Sequence, residues 1–186
     1  MLGAACGLQS RTMIEIVPYD PRWPRAFEAE RGRIQAAFGS RAIRIDHNGS
    51  TAVPGLSAKP VIDIQVSVET LHPVDAHAAL LVALGYFHGP HADDDPCPFF
   101  HRPATWPHTH HVHLVEAGGD EERRTLAFRD YLRAHPETAR EYEALKRRLA
   151  IEHRGLDASS REAYAIAKTG FVERILALAL QPSARR

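Results

Sequence analysis

His47-Asn48-Gly49-Ser50-Thr51-Ala52-Val53-Pro54-Gly55-Leu56-Ser57-Ala58-Lys59-Pro60-Val61-Ile62-Asp63-Ile64-Gln65-Val66 is the stretch whose reading decides the fold. It reads as the end of one strand, a tight polar turn, a short connector and a second strand that carries a carboxylate. Ile43 and Ile45 lead in with period two, and the β-branched run from Val61 to Val68 leads out. On that second strand Ile62, Ile64, Val66 and Val68 form the apolar face, so Asp63, Gln65 and Ser67 point the other way. Gly49 lets backbone approach a ligand without a Cβ, and Ser50 and Thr51 offer hydroxyl and N–H groups to an anion. Lys59 in the connector either adds a charge that neutralises phosphate or is a solvated loop lysine. Pro54 and Pro60 leave room for no more than a turn of helix between the strands.

Upstream, Ile14–Val17 is expected as a short strand. Asp20 and Pro21 then open a helix whose face is Trp23, Phe27, Ile34 and Phe38, stopped by Gly39. Downstream, a helix from about 73 to 84 follows Thr70 as its cap and is closed by Gly85. Residues 88–109 are irregular, with Asp93-Asp94-Asp95 as a solvated acidic run, five prolines and a short strand at 99–102. His110 to Glu116 alternates as a strand, ended by Gly118-Gly119. From Asp120 the period becomes helical. Three helices are expected: one ending near His135-Pro136, one carrying Tyr142, Leu145 and Leu149, and one capped by Ser159 or Ser160 with Tyr164, Ala167, Phe171, Ile175 and Leu178 as its stripe. The pattern is α/β (α+β): a mixed sheet of about four to six strands flanked by helices, with the C-terminal helices packed on it.

Length and charge bound the function. A chain of 186 residues with 44% hydrophobic content suits one globular domain, 13–186, with an α/β core at 13–118 and a helical part at 119–181. Residues 1–12 lack the basic start and apolar core of a signal peptide and are expected to be a disordered extension. Lys+Arg and Asp+Glu each number 23, so there is no basic excess of the kind that grips nucleic acid. No apolar run approaches the ~20 residues of a membrane span. Cys6 and Cys97 make neither a disulfide framework nor a thiolate zinc site, and the cytoplasm is the expected compartment.

The chemistry gathers where faces coincide. On strand 110–116 Val112 and Leu114 take the apolar face, leaving His111 and His113 opposite, on the side of Asp63 if both strands share a sheet. A carboxylate with imidazoles suits Zn²⁺ or Mn²⁺, whereas Mg²⁺ prefers oxygen. Glu116 is an alternative partner, though strict alternation sets it on the other face. Seven of the 12 histidines lie between His88 and His113, a density that marks either a site or a polar loop. His47 beside the turn is either a site residue or a packing residue. Asp63 is the strongest candidate, because a charge in an Ile/Val strand needs a partner, either a ligand or a structural one such as Lys59, Arg44 or a backbone N–H. Lys146, Lys168 and Arg129 sit on helices and are read as surface or salt-bridge residues, with Lys168 kept as a further candidate.

HNGSTAVPGLSAKPVIDI resembles the signature of the GrpB family (UPF0157-type), small bacterial proteins similar to the nucleotidyltransferase superfamily typified by DNA polymerase β. The resemblance runs on through HHVHLVE (110–116), FRDYLRAHP (128–136), YEALKRRLA (142–150) and YAIAKTGFV (164–172). It implies a nucleotidyltransferase-like protein that binds a nucleotide or other phosphorylated ligand with a divalent metal, Mg²⁺ or Mn²⁺. Gly49 and Ser50 would hold phosphate and Asp63 would be the catalytic, metal-binding acid. Gln65 stands where that superfamily has its second acid. Two alternatives stay open: the same fold as a binding module without turnover, and a metal-dependent hydrolase using Asp63 with His111 and His113, for which Zn²⁺ is the natural ion.

Overall fold

The structure is a computed structural model that describes residues 14–89, 95–155 and 157–181. Helix α1 (Trp23–Phe38) starts later than expected: its boundary residue is Arg22, not Asp20, and Pro24 rather than Pro21 lies in its first turn, while the Asp20 carboxylate accepts the Arg22 N–H at 2.8 Å just ahead of it. Strands β1 (Ala42–Asn48) and β2 (Ile62–Val68) follow, joined through a 3-10 turn at Ser50–Ala52. Helix α2 (Val74–Ala83) leads to the short β3 (Phe87–His88), then β4 (Phe99–Arg102) and β5 (His110–Glu116). Four helices complete the described chain: α3 (Asp120–Ala134), α4 (Pro136–Glu152), α5 (Ala158–Ile166) and α6 (Thr169–Ala179).

The sheet is mixed and has five strands in the order β1-β2-β5-β4-β3. β2 pairs antiparallel with β1 and parallel with β5, in a register that sets Asp63 beside His111 and Gln65 beside His113. One face is the main core. Ile62, Ile64, Val66 and Val68 of β2, with Val112 and Leu114 of β5, pack against Trp23, Phe27, Ile34 and Phe38 of α1 and Leu81 of α2. The other face carries the polar residues and is covered too, because α3 lies across it: Gln65 and Ser67 are fully buried. A second apolar cluster, Val53, Leu56, Leu132, Ala139 and Tyr142, locks the connector between the two strands onto α3 and α4.

Several local expectations are corrected. Residues 14–17 make a single bridge, Val17 with Ala58, since one connector residue is all that lies alongside them. Thr70 does not cap α2, whose boundary residue is Pro73. Asp157, one turn ahead of the expected serines, caps α5 by accepting the Ser160 N–H at 2.8 Å. The long third helix is two, α5 and α6, broken around Ala167-Lys168 although its apolar stripe continues through both. Residues 1–12, Pro90 and Asp93-Asp94 lie outside the described residues. No helix among the described residues is long and apolar enough to cross a membrane.

Candidate functional site

The site lies on the polar face of the sheet, where the turn after β1 meets the start of β2 at Asp63. Gly49 sits at φ +65°, and a Cβ there would stand 2.2 Å from the Asp63 Oδ2, so only glycine lets the turn close over the carboxylate. Asn48 fixes the turn, its Oδ1 accepting the Gly49 N–H at 2.9 Å. The Thr51 hydroxyl donates to the Val61 carbonyl at 3.1 Å and lies 3.0 Å from His47 Nε2. His47 is buried and stacked on Phe27 with ring centres 4.7 Å apart, and burial pushes its pKa down to about 4. It therefore serves the turn as a neutral packing residue.

Asp63 is 29% exposed, and its Oδ1 lies 3.1 Å from His111 Nδ1. Burial opposes its charge, but the hydrogen bond from His111, with the positive field of His111, His113 and Lys59, holds the carboxyl below its ordinary range. The other ring nitrogen of His111 lies 3.1 Å from His108 Nδ1, and His108 stacks on His101 at 4.1 Å. Burial, then His101, lowers the His108 pKa to about 4. His113 points elsewhere, its Nδ1 lying 3.6 Å from Cys97 Sγ. Among the described residues no three His, Cys, Asp or Glu side chains form a group that could hold a metal ion. The donor set does not fit a ready-made divalent site.

Gln65 does not reach the turn's open side. Its Oε1 receives the Asn48 amide at 3.2 Å and lies 2.5 Å from the Thr125 hydroxyl, while its Nε2 is buried with no partner. Glu116 is on the opposite face, where its Oε1 accepts the Leu71 N–H at 3.2 Å.

Lysines complete the site. Of the 23 basic side chains 20 are arginine, and the remaining three, Lys59, Lys146 and Lys168, are the only lysines in the chain. All three come together here. Lys146 Nζ donates to Ser50 Oγ at 3.0 Å and to the Ser57 carbonyl at 2.5 Å. Lys59 and Lys168 hold their ammonium groups 4.9 and 4.5 Å from the centre of the Tyr164 ring. Lys59 also lies 5.6 Å from the Trp106 ring, which carries the Arg161 guanidinium at 5.1 Å. None of the ion pairs among the described residues involves any of the three lysines. Burial, then the charge of Lys168, lowers the Lys146 pKa to about 7; burial, then Lys59, lowers that of Lys168 to about 8. Lys59 is lowered by burial and, less, by Arg161, with Asp63 working against the shift.

Lys146 is thus a buried site residue, 2% exposed, and its reading as a surface group is corrected. The signal was present: it shares the apolar stripe of α4 with Tyr142 and Leu149, at spacings of four and three. Tyr164 and Trp106 are further members that sequence reasoning did not single out for the site. Arg129 is the ion-pair residue expected, bonded to Asp46 at 3.3 Å and Asp130 at 2.8 Å.

The chain matches the family model "GrpB protein" over residues 13–178. It is 37% identical over 146 residues to the UPF0157 protein YqkA of Bacillus subtilis, covering 78% of this chain and 42% of that one. A protein of Mycolicibacterium paratuberculosis named dephospho-CoA kinase is 35% identical, covering 74% of this chain and 40% of that one. The chain thus spans less than half the length of these two relatives. A crystal structure of the conserved protein GrpB from Enterococcus faecalis superposes with a TM-score of 0.78 and 32% identity, covering 90% of this chain and 98% of the other. With a mixed sheet of the same kind and a family match over most of its length, this chain belongs to the GrpB family.

Proposed function

We propose that the chain binds a small phosphorylated ligand, of the nucleotide kind, against the turn at Gly49–Thr51. Lys59 and Lys168 supply its standing countercharge, Lys146 adds to it in its protonated fraction, and the Asp63–His111 pair faces it. The convergence of the chain's only lysines, unpaired with any carboxylate among the described residues, carries this reading. A sequestered ammonium without a counter-anion is costly, and a multivalent anion lowers that cost. Arginine serves everywhere else in the chain; lysine's compact charge suits a crowded phosphate seat. The relative named dephospho-CoA kinase has a phosphorylated compound in its name, which supports the same ligand class.

Nucleotidyl transfer is the reaction to which the superfamily resemblance points. Binding without turnover is the second reading, and Gln65 favours it: its carboxamide is engaged by Asn48 and Thr125 and supplies no second acid. The lysines account for the ligand's charge without a divalent ion. The test is calorimetric titration with inorganic pyrophosphate in chelator-treated buffer. Wild type is expected to bind, and Lys59→Met and Lys168→Met each to lose about tenfold in affinity, roughly 1.4 kcal/mol. Asp63→Asn is expected to tighten binding, because it removes a negative charge from the seat. Binding that appears only with Mg²⁺ and disappears in Asp63→Asn would replace the lysine seat with a carboxylate–metal one.

A further inference from the structure

We infer that Ser50 is a nucleophile activated by Lys146, and that it accepts a phosphoryl group from a phosphoanhydride held in the lysine seat; this step rests on the phosphorylated-ligand reading. Ser50 is partly exposed at the start of the turn, and the Lys146 amine 3.0 Å away is the one described partner of its hydroxyl. The amine is anchored from behind by the Ser57 carbonyl and from the side by the Tyr142 ring at 5.0 Å. A buried amine fixed at hydrogen-bond distance from a hydroxyl is the geometry of a serine–lysine pair, in which the lysine is the general base.

Two features separate this pair from a plain structural tie. A lysine that only held α4 to the turn would keep its proton, and arginine would do as well. Here the groups facing the amine favour the neutral form. Burial acts first, then the Lys168 charge and the Arg147 charge on α4, against Glu143 of α4 and Asp63 of β2. Its pKa of about 7 leaves a large neutral fraction at physiological pH. The second feature is the division of labour among the cations. Lys59 and Lys168 sit together over Tyr164 and can hold the anion while Lys146 acts on Ser50.

The step balances. Ser50 Oγ forms a bond to the terminal phosphorus as the bridging P–O bond breaks. The Ser50 proton passes to Lys146 Nζ, which becomes an ammonium, and the remaining phosphate leaves as an anion beside Lys59 and Lys168. The product is a phosphoserine at position 50. Transfer of the group onward to water or to another acceptor would restore the hydroxyl, the proton returning from Lys146.

The experiment separates this inference from the reading beneath it. Purified full-length chain is titrated with inorganic pyrophosphate for binding. In parallel it is incubated with pyrophosphate, and separately with a fluorophosphonate, which labels nucleophilic serines without needing the seat. Intact mass and peptide fragmentation then locate any adduct. The expected result is one phosphoryl or phosphonyl group on Ser50, lost in Ser50→Ala and in Lys146→Arg, the latter keeping a cation but no base. In wild type alone, fluorophosphonate labelling should rise with pH through about 7 and then level off, following deprotonation of Lys146. Pyrophosphate binding with Ser50 unlabelled by either reagent overturns the inference and leaves the ligand reading standing. So does labelling that persists in Lys146→Arg, or that climbs with hydroxide without levelling. Absent pyrophosphate binding overturns the ligand reading and with it phosphoryl transfer, whatever the fluorophosphonate shows.

Discussion

Gly49 shows how much one missing side chain decides. Its backbone is left-handed, and the space a Cβ would take is already filled by the Asp63 carboxylate. Gly49→Ala must therefore strain the turn and displace Asp63 from His111 together. The expected cost is about 2 kcal/mol or more, read as a lower midpoint in urea unfolding. His47 makes the opposite point. A histidine beside a polar turn looks reactive in sequence, yet its ring stacks on Phe27 and its nitrogen meets Thr51, so its chemistry is spent inside the fold.

At the scale of elements, β2 matters most because both of its faces are buried. One face joins the aliphatic core; the other holds Gln65 and Ser67 under α3. Gln65 pairs across β1 with Asp46, which is already tied to Arg44 and Arg129. Placing an acid at this position by Gln65→Asp thus buries a carboxylate opposite another and leaves Asn48 and Thr125 to reorganise. It is expected to destabilise by about 2 kcal/mol or more, seen as a fall in the denaturant midpoint. Ile64→Ala, on the core face at full burial, should cost about 3 kcal/mol by the same measurement. Helix α5 places Tyr164 under Lys59 and Lys168, and its start is held by Asp157. Asp157→Ala should remove the cap at a cost of about 1 kcal/mol and fray that end of the seat, detectable as faster amide exchange in the first turn of α5.

For the whole molecule the formal charge is zero, yet the three lysines concentrate positive charge on one face of the sheet. This makes a pH signature. Sulfate keeps its charge across the neutral range, so changes in its affinity report the protein's groups alone. Lys146 and Lys168, with pKa values of about 7 and about 8, lose their protons as pH rises through that window. Sulfate affinity should accordingly fall from about pH 6 to about pH 9, measured by calorimetry. The sign for stability without ligand is the reverse. The folded pKa of Lys146 lies below its ordinary 10.5, so between about 7 and 10.5 the unfolded chain binds the extra proton. The contribution of Lys146 to stability therefore increases with pH over that interval. Thermal unfolding of wild type should gain relative to Lys146→Met as pH is raised through it.

What the sequence determined by itself follows from local periodicity. Alternation in 61–68 and 110–116 predicted both strands and put Asp63, His111 and His113 on one side, and the parallel register of β2 with β5 brings Asp63 and His111 into contact. Period two carries facing, because side chains alternate regardless of what covers them. The helical switch after Gly119 and the glycine-serine turn were legible for the same reason. What covers each face was not, because cover is supplied by residues distant in the chain. α3 turns the polar side of β2 into a second interior. The connector fixes Lys59, α4 brings Lys146 to Ser50 across 96 residues of chain, and the break between α5 and α6 sets Lys168 on Tyr164. Each lysine, read alone, looks like solvated charge, since a single cation on a helix or loop has water available. Only tertiary packing gathers all three, burying Lys146 and half-burying Lys59 and Lys168 without a carboxylate pair among the described residues, and so makes three ordinary lysines the anion seat proposed above.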